Sequence, residues 1–520
     1  MQLVRRPWMA LGLALVMALA GAAGASPLRV VMEVEPAHLN PLLDPDLWGY
    51  RLAHDLVCEP LVRQRPGSGT PEYEPVLAEW FRVEDDGRGI EVQIRRGIRF
   101  HDGRPLSHVD VRATLELLRR SASVAPRTHA LVAGLRHIWV VAPDRLRIEW
   151  EAPAGGLLAA LAEIDILPAH HFAQGGLAHQ PQNRRPVCTG PYRLHEWRRG
   201  SEIVLRRHAG YWGALAPQEE LRFLVVPDAA RALALVRRGG AEVLGHLPAM
   251  YYPEQVEPAM LRGRLRTIEA PANQVTLLLW NGQHPALALP AIRRALSMVV
   301  DRPRLVREVR HGLGEPVRLP PPLRSAQLAP DLAAAEALLD GAGAMRLSPG
   351  GHRALGGRAL RLGLLVPAGA SEAQQAAERV AQDCARAGVQ VEPEVVALSS
   401  LQSRLRRGAF DAALLAWAWT GPWPDLSPLL HSRGAQAYSR SEGPELDAAL
   451  DRVRRAVGPG QQREALDRLA TVLDEQEPVT FLYRARQVVL LDQRVQPHPP
   501  PLSGGFPVLR MLHLSGSAPP

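Results

Sequence analysis

The chain has 520 residues, 46% of them hydrophobic, which is enough for two or three domains of ordinary globular composition. Its formal charge is +8, from 61 basic and 53 acidic residues, and every basic residue is Arg, so Schiff-base chemistry and a phosphate-loop Lys are excluded. The arginines are scattered rather than clustered, which argues against nucleic-acid binding.

The N-terminus has the pattern of a secretory leader. Arg5 and Arg6 precede an apolar run over residues 8–20, and small residues at 23–25 come before Ser26. This pattern predicts a signal peptide, residues 1–25, that is cleaved on export, because the run falls short of the ~20 residues that span a membrane. We expect a soluble periplasmic protein, and the paired Arg leaves Sec and twin-arginine export both open.

A strand–turn–strand–turn–helix unit is predicted over residues 77–120. Phe81 and Val83 alternate with polar residues, and Ile90, Val92 and Ile94 alternate again, as in half-buried strands. Residues 85–87, Asp-Asp-Gly, have the chemistry of a hairpin turn. Ser107 is the predicted N-cap of the helix, with Asp110 near its positive end.

Three cysteines occur, Cys58, Cys188 and Cys384. One disulfide is possible in an oxidising compartment, and the spacing does not select the pair. The chain has no CxxC motif, so we expect no cysteine-based zinc site.

Histidines cluster at His170, His171 and His179. We considered a metal site here, but adjacent side chains on a regular element are expected to point apart. A role at the surface is therefore favoured, and the sequence predicts no metal site and no cofactor.

The second half of the chain has the features of a parallel α/β unit. Residues 275–279 form a continuous apolar strand, as expected for a strand buried on both faces. A strand over 360–366, a helix over 372–387 and a strand over 389–396 form a βαβ unit, which implies a parallel sheet.

Three tryptophans follow the next predicted strand, residues 410–416: Trp417, Trp419 and Trp423. Ligands of open α/β sheets bind beyond the carboxyl ends of strands, and Trp offers a large, rigid stacking surface. We predict that at least one of the three contacts a ligand. The alternative is that one or two of them close the core.

These motifs, in this order and spacing, resemble the bacterial extracellular solute-binding proteins of the dipeptide/oligopeptide/nickel-binding group. The matching positions are Leu77, Ala78, Trp80, Asp85, Asp86, Gly87, Arg95, Gly97, Phe100, His101, Asp102, Gly103, Pro105, Leu106, Asp110, Val111, Thr189, Gly190, Pro191, Tyr192, Tyr211, Trp212, Asn281, Asp301 and Arg302. The resemblance implies an α/β, two-lobed periplasmic-binding-protein fold with mixed sheets, a hinge between the lobes and an extra subdomain in the first lobe.

The resemblance also implies domain boundaries. Lobe I is expected over residues 26–280, with an inserted subdomain at about 56–185. Lobe II is expected over 281–490, and a C-terminal segment, 491–520, is expected to return to lobe I.

The ligand site implied by the resemblance lies between the lobes. Its expected residues are Trp417, Trp419, Trp423 and Asp425 on lobe II, Glu35 and Glu59 on lobe I, and Asn281, Arg293 and Arg433, the two arginines being possible clamps for a carboxylate or phosphate. Peptide-binding relatives carry an Asp that pairs with the peptide amine, whereas Pro422 occupies that position here. A buried amine without this partner is costly, so ordinary dipeptide specificity is not expected.

The function expected from the resemblance is capture of a small solute, peptide-like or otherwise polar, and its delivery to an ABC transporter permease in the inner membrane. We expect a monomer that is not an enzyme and has no nucleic-acid partner. Two alternatives are an exported hydrolase and a sensor or chaperone that uses the same fold without transport. The chain lacks HExxH, GxSxG and phosphate-loop motifs, which disfavours the hydrolase.

Overall fold

The computed structural model of the chain describes residues 26–65, 72–84, 88–151, 155–172, 176–252, 254–256, 263–323, 329–419, 425–434, 436–440, 443–456, 459–497, 502–503 and 506–515. The predicted signal peptide, the turn at 85–87, Pro422 and Trp423 lie outside these ranges.

Strands make up most of the framework. In chain order they are β1 (Leu28–Met32), β2 (Val62–Gln64), β3 (Tyr73–Pro75), β4 (Ala78–Val83), β5 (Gly89–Ile94), β6 (Leu135–Ala142), β7 (Arg145–Trp150), β8 (Tyr192–Arg198), β9 (Glu202–Arg207), β10 (Glu220–Val225), β11 (Val243–Leu247), β12 (Leu265–Trp280), β13 (Gly314–Pro316), β14 (Ala344–Arg346), β15 (Arg353–Leu355), β16 (Arg358–Ala359), β17 (Arg361–Pro367), β18 (Gln390–Val396), β19 (Ala412–Ala418), β20 (Val479–Asp492), β21 (Val495–Gln496), β22 (Leu502–Ser503), β23 (Phe506–Pro507) and β24 (His513–Leu514).

The α-helices cover the sheets and connect their strands. They are α1 (Leu47–Leu52), α2 (His108–Arg119), α3 (Pro126–Ala130), α4 (Gly155–Glu163), α5 (Ala169–Phe172), α6 (Ala229–Arg237), α7 (Pro290–Val299), α8 (Arg302–Glu308), α9 (Leu332–Gly341), α10 (Ser371–Arg386), α11 (Leu398–Arg407), α12 (Ser427–Leu430), α13 (Pro444–Arg455) and α14 (Pro459–Gln476). Among the described residues, no helix combines the length and the apolar character needed to cross a membrane.

One large mixed sheet runs through both lobes. Its strand order is β18-β17-β19-β12-β20-β11-β1-β10-β9-β8, and β13 also pairs with β20. Two long strands carry this sheet from one lobe to the other, because β12 has 16 residues and β20 has 14. Their antiparallel pairing shifts register between Pro271 and Val275, in the stretch between Ile268, which packs on the first-lobe core, and Val275, which packs in a second-lobe core.

Each lobe buries its part of this sheet on both faces. In the first lobe, Val30 of β1 packs into one core and Val31 into another. In the second, Leu278 of β12 packs on one face, and its neighbours Leu277 and Leu279 pack on the opposite face. The apolar run predicted at 275–279 is therefore confirmed as a strand buried on both faces.

The predicted unit at residues 77–120 is confirmed where the structure describes it. β4 and β5 pair antiparallel in a four-stranded sheet of order β4-β5-β7-β6, which lies in the first lobe. Ser107 caps α2, and Asp110 completes a capping box with the Ser107 backbone. The βαβ prediction is also confirmed, because β17 and β18 are parallel and α10 joins them.

One disulfide, between Cys58 and Cys188, closes a loop of 130 residues within the first lobe. Cys384 is a buried free thiol. This settles the pairing that spacing in the sequence left open.

Candidate ligand-binding site between the lobes

The strand directions place the candidate site where the lobes meet. β1 and β11 are parallel to each other, and β11 runs antiparallel to β20 and hence parallel to β12, toward the second lobe. β19 is antiparallel to β12 and parallel to β17, so both run toward the first lobe. The carboxyl ends of both strand sets therefore face the same interlobe space, where open α/β sheets bind ligands.

Trp419 follows the last residue of β19 and borders this space. Its ring centroid lies 5.6 Å from that of Trp417, as expected for residues two apart on one face of a strand. Trp417 is buried in the second-lobe core, whereas Trp419 is only partly buried. Trp417 therefore closes the core, as the alternative interpretation predicted. Of the two tryptophans in this group that the structure describes, Trp419 is the one with surface available to a ligand.

Arg484 of β20 reaches across β12 to Trp419. Its guanidinium carbon lies 5.8 Å from the indole centroid, within cation–π range. Its Nε donates a 2.8 Å hydrogen bond to the Ala272 carbonyl of β12, and burial lowers the pKa of Arg484. The register explains the approach, because Val275 pairs with Trp417 on one side and Arg484 on the other.

Two donors at this place lack hydrogen-bond partners within the described structure. They are the buried Nε1 of Trp419 and the buried Nε of Arg486. Arg486 is two residues beyond Arg484 on β20, so both side chains leave the same face of the strand. Buried donors are normally paired, so this surface favours a ligand that supplies acceptor oxygens.

Glu33 lies in the first lobe directly after β1, at the carboxyl end of that strand. One carboxylate oxygen accepts a 2.9 Å hydrogen bond from Trp48 Nε1. The other is buried and has no hydrogen-bond partner in the part of the chain that the structure describes. Arg51 lies over the Trp48 ring at 5.2 Å, and burial lowers its pKa to about 10.

His246 of β11 lies close enough to Glu33 and Arg51 for their charges to act on it. Its side chain is accessible to solvent although protein atoms surround it, as expected for the floor of a cleft. Burial lowers the pKa of His246, and the charges acting on it come from both lobes: Glu33 and Arg51 from the first, and Arg310 and Glu372 from the second. We call Glu33, Arg51, His246, Trp419 and Arg484 the interlobe site.

The second-lobe charges near His246 belong to a half-buried ion pair. Arg310 forms an ion pair with Glu372, which lies in the first turn of α10, directly after β17. A second nitrogen of Arg310 donates a 3.2 Å hydrogen bond to the Arg486 carbonyl. No sequence pattern pointed directly to Glu33, Arg51, His246, Arg310 or Arg484. The rule that ligands bind beyond strand ends selects Glu33 once β1 is known.

Two of the expected residues border strand ends without a direct link to Trp419. Asp425 is exposed, and its carboxylate accepts a 2.9 Å hydrogen bond from Ser427 N ahead of α12. Both oxygens of Glu35 are used by the β8–β9 hairpin, through Trp197 Nε1 at 2.7 Å and Gly200 N at 3.0 Å. Neither contact places the carboxylate against the Trp419 surface.

Glu59 does not face the second lobe. It is buried, and its carboxylate accepts hydrogen bonds from Thr189 at 2.9 Å, Tyr211 at 2.6 Å and Trp212 at 2.9 Å. Burial raises the pKa of Glu59 although these donors oppose the shift. The expectation that the Cys58-Glu59-Pro60 segment faces the cleft is corrected, because this carboxylate ties together two segments of the first lobe.

Arg293 also has an internal role. It is buried on α7 and donates to the carbonyls of Glu477 at 2.9 Å and Leu287 at 2.5 Å, and also to that of Gln476. Burial lowers its pKa to about 10. The guanidinium of Arg293 therefore donates its hydrogen bonds to the second-lobe backbone and not to a ligand carboxylate. Arg433 is exposed in the loop after α12.

Asn281 lies near the amino end of β19, whereas Trp419 of the interlobe site lies at its carboxyl end. It bonds the Phe410 carbonyl at 2.6 Å, before β19 begins, whereas Trp419 follows its end. At ~3.3 Å per residue, the seven-residue strand separates the two by about 20 Å. The expectation that Asn281 joins Trp419 at one ligand is therefore corrected.

The histidine cluster differs from the expectation. His170 and His171 do not point apart, because their ring centroids are 4.2 Å apart and both rings approach Asp102. α5 is only four residues long, and the tips of two long side chains converge although their Cβ directions differ. His179 is exposed and does not belong to this group.

A hinged pair of α/β lobes with a ligand surface between them defines a two-lobed solute-binding protein. The comparisons with known proteins agree with this. The chain is 28% identical to protein XP55 of Streptomyces lividans over 439 residues, covering 81% of this chain and 78% of the relative. It superposes on NikA from Brucella suis in complex with Fe(III)-EDTA with a TM-score of 0.81 and 23% identity, over 94% of this chain and all (100%) of that one. It superposes on AppA from Bacillus subtilis in complex with a nonapeptide with a TM-score of 0.76 and 20% identity, over 94% and 99% of the two chains.

Residues 72–438 match the family described as bacterial extracellular solute-binding proteins, family 5. The chain belongs to this family, and the resemblance found in its motifs is confirmed. It is a solute-binding protein that captures its ligand and delivers it to an ABC transporter.

Proposed function

We propose that the interlobe site binds a small polar solute that carries a carboxylate, such as a peptide or an amino-acid conjugate. The observation that carries this proposal is the position of Arg484 over Trp419, beyond the carboxyl end of β19. A planar carboxylate matches the guanidinium fork, and the indole supplies a rigid apolar surface beside it. The unpartnered donors of Trp419 and Arg486 add two positions for ligand oxygens.

The part of the interlobe site in the first lobe favours a hydrogen-bond donor on the same ligand. Glu33 has one buried oxygen without a partner among the described residues, so a ligand amine or ammonium satisfies it. An acidic group on one lobe and cationic groups on the other fit a ligand with both charges. This assigns the amine to Glu33 and not to the segment around Pro422.

Closure of the lobes follows from the same arrangement. The ligand contacts Glu33 of one lobe and Trp419 and Arg484 of the other only when the lobes are together. Those contacts stabilise the closed form over the open one, and the hinge at residues 271–275 takes up the change. AppA of Bacillus subtilis was solved with a nonapeptide, so peptides are the natural first probes.

The remaining parts of the proposal concern the setting of the protein. We propose that residues 1–25 are removed on export and that the mature chain works as a monomer in the periplasm. It passes its ligand to a permease in the inner membrane and does not convert the ligand. Glu35 and Asp425 are proposed to lie at the rim of the site. The lobe boundaries near residues 280 and 490 stay a prediction, because β12 and β20 belong to both lobes.

The test begins with a thermal-shift panel of peptides, opines, sugars, nickel chelates and haem on the mature chain. A hit is then titrated by calorimetry as the free acid and as the matching C-terminal amide. We expect the acid to bind at least about tenfold more tightly, equivalent to about 1.4 kcal/mol. Equal affinity of acid and amide contradicts the carboxylate assignment.

Mass spectrometry of the recovered ligand separates binding from catalysis. An unchanged ligand after prolonged incubation supports a binding protein. Time-dependent product supports the exported hydrolase, and no hit in the panel leaves the sensor or chaperone role as the next hypothesis to test.

A further inference from the structure

A second group of ligand-type side chains occurs in the first lobe, on different elements from the interlobe site. Asp102 lies in the turn after residue 100, and His170 and His171 lie on α5. One donor atom from each of the three falls within 4.8 Å of the other two. We propose that Asp102, His170 and His171 bind a divalent transition cation of the zinc class, and we call the group the histidine site.

The local fold holds the two halves of the histidine site together. Asp110 at the start of α2 accepts a 2.9 Å hydrogen bond from Ala169 N, the first residue of α5. The Thr114 hydroxyl of α2 accepts a 3.0 Å hydrogen bond from Leu167 N and donates one of 3.3 Å to the Leu167 carbonyl. α5 is therefore fixed against α2, and the Asp102 turn directly precedes α2 in the chain.

The Asp102 turn is closed by a 2.8 Å backbone hydrogen bond from Gly103 N to the Phe100 carbonyl. Gly103 has φ +88°, a conformation that disfavours other residues, and a Cβ there meets no atom within 4 Å, so the conformation rather than space requires glycine. One Asp102 oxygen accepts a 3.0 Å hydrogen bond from Arg104 N, which leaves the other oxygen directed at the histidines. The carboxylate is thus oriented before any cation binds.

The distances match tetrahedral coordination after small adjustments. Asp102 Oδ2 lies 2.8 Å from His170 Nε2 and 3.8 Å from His171 Nε2. Ligand atoms ~2.1 Å from a tetrahedral zinc ion are separated by about 3.4 Å, which lies between these two values. Shifts of about half an ångström at the ring tips therefore bring both histidine nitrogens to the tetrahedral separation from the Asp102 oxygen.

The donor set selects the class of cation. Two imidazoles and one carboxylate suit Zn²⁺, Ni²⁺ and Cu²⁺ more than Mg²⁺ or Ca²⁺, which prefer oxygen ligands. The three side chains are between 18% and 26% exposed, so an ion is reachable and keeps a position for water. The buried Nδ1 of His171 has no hydrogen-bond partner in the described structure. A cation at Nε2 therefore stabilises a ring that is otherwise weakly held.

The test uses the full mature chain without a histidine tag, stripped with chelator and then titrated with Zn²⁺ by calorimetry. We expect one equivalent to bind and the thermal midpoint to rise, because the ion joins the Asp102 turn to α5. Co²⁺ in place of Zn²⁺ is expected to give the visible absorption of a cobalt site with nitrogen and oxygen ligands. Absence of saturable Zn²⁺ binding in this titration overturns the proposal.

Variants assign the ion to these residues. His171→Gln is expected to weaken Zn²⁺ binding at least about tenfold, equivalent to about 1.4 kcal/mol. It is the main test because its contact with Asp102 is the longer one, so the fold depends on it least. His170→Gln and Asp102→Asn are expected to do the same.

Two controls separate this site from others. His137→Gln changes an exposed histidine of β6 and should leave Zn²⁺ binding unchanged. Trp419→Ala should also leave it unchanged while it weakens solute binding. Equal Zn²⁺ affinity in the wild type and in His171→Gln overturns the assignment, whatever the result for the solute.

Discussion

The guanidinium carbon of Arg484 lies 5.8 Å from the centroid of the Trp419 indole, although β12 separates their strands. The contact exists because residues paired across β12 share one face of the sheet. It joins a hinge strand to the end of a second-lobe strand. A ligand held by this pair would therefore act directly on the segment that we propose as the hinge.

Replacing Trp419 by Ala should weaken binding of the solute identified in the panel at least about tenfold, because the stacking surface is lost. The thermal midpoint without ligand should change little, since Trp419 is only partly buried. Calorimetry measures the affinity and circular dichroism measures the midpoint. Trp139→Ala is the matched control, because Trp139 is 41% exposed on β6. Unchanged affinity in Trp419→Ala removes Trp419 from the site.

Replacing Arg484 by Gln should remove the preference for a free carboxylate. The acid form of the ligand is expected to lose affinity, whereas the C-terminal amide keeps most of its own. The affinities of the wild type and of Arg484→Gln for the acid and for the amide form a double-mutant cycle. The coupling energy between Arg484 and the ligand carboxylate should exceed about 1 kcal/mol. A coupling energy near zero places the carboxylate elsewhere.

Replacing Arg293 by Met should reduce the free energy of unfolding by roughly 3 kcal/mol or more. The substitution leaves the carbonyls of Glu477, Leu287 and Gln476 without this donor, and each buried, unsatisfied group costs about 1–3 kcal/mol. Denaturant titration measures the change. Arg433→Met is the control, because an exposed arginine should cost within about 0.5 kcal/mol. A stable Arg293→Met protein with weakened ligand binding contradicts the structural role.

Stability should fall between neutral and alkaline pH because of a buried pair in the first lobe. Burial alone lowers the pKa of His54, but the Asp165 carboxylate, 3.0 Å from its Nδ1, outweighs this and raises the pKa from 6.5 to about 9. Because the pKa of His54 is higher in the folded state, protonation of His54 stabilises the folded state fully below pH 6.5. This contribution is lost as the pH rises through about 9. The loss is on the order of 3 kcal/mol.

Urea unfolding at several pH values measures this loss. The His54→Gln variant should be less stable at pH 6 and should show a flatter dependence on pH up to 9.5. Parallel curves for the variant and the wild type show that the pair does not titrate in this range.

The disulfide and the free thiol give a chemical test of the fold. Cys384 is buried and its pKa is raised to about 12, so a thiol reagent should not react with the native chain. Unfolding without reductant should expose one thiol, and reduction should expose all three. Replacing Cys58 and Cys188 by Ala should cost about 3–5 kcal/mol, because the bridge closes a loop of 130 residues. Three thiols without reductant contradict the bridge.

The local elements were accessible to sequence reasoning because short-range chemistry determines them. Ser107 and Asp110 form the capping box that their types and spacing indicated. The apolar run at 275–279 predicted a strand buried on both faces, because side chains that alternate between the two faces of the sheet are apolar on both. The order of the motifs also determined the family, and hence the two-lobed fold.

The tertiary structure decided which side chains meet. A single chain gives no sign that Arg293 and Glu59 are used internally, because a buried arginine or glutamate looks the same in sequence as a ligand-binding one. It likewise gives no sign that Arg484 reaches Trp419, since their approach depends on the register of β12 with two other strands.

The sequence by itself determined the elements, the family and the tryptophans at the end of a strand, because local propensity and periodicity act over a few residues. Only the fold decided that Trp417 closes the core while Trp419 borders the cleft, and that His170 and His171 converge on Asp102. Pairings between residues far apart in the chain depend on strand register and helix docking, which no short stretch of sequence encodes.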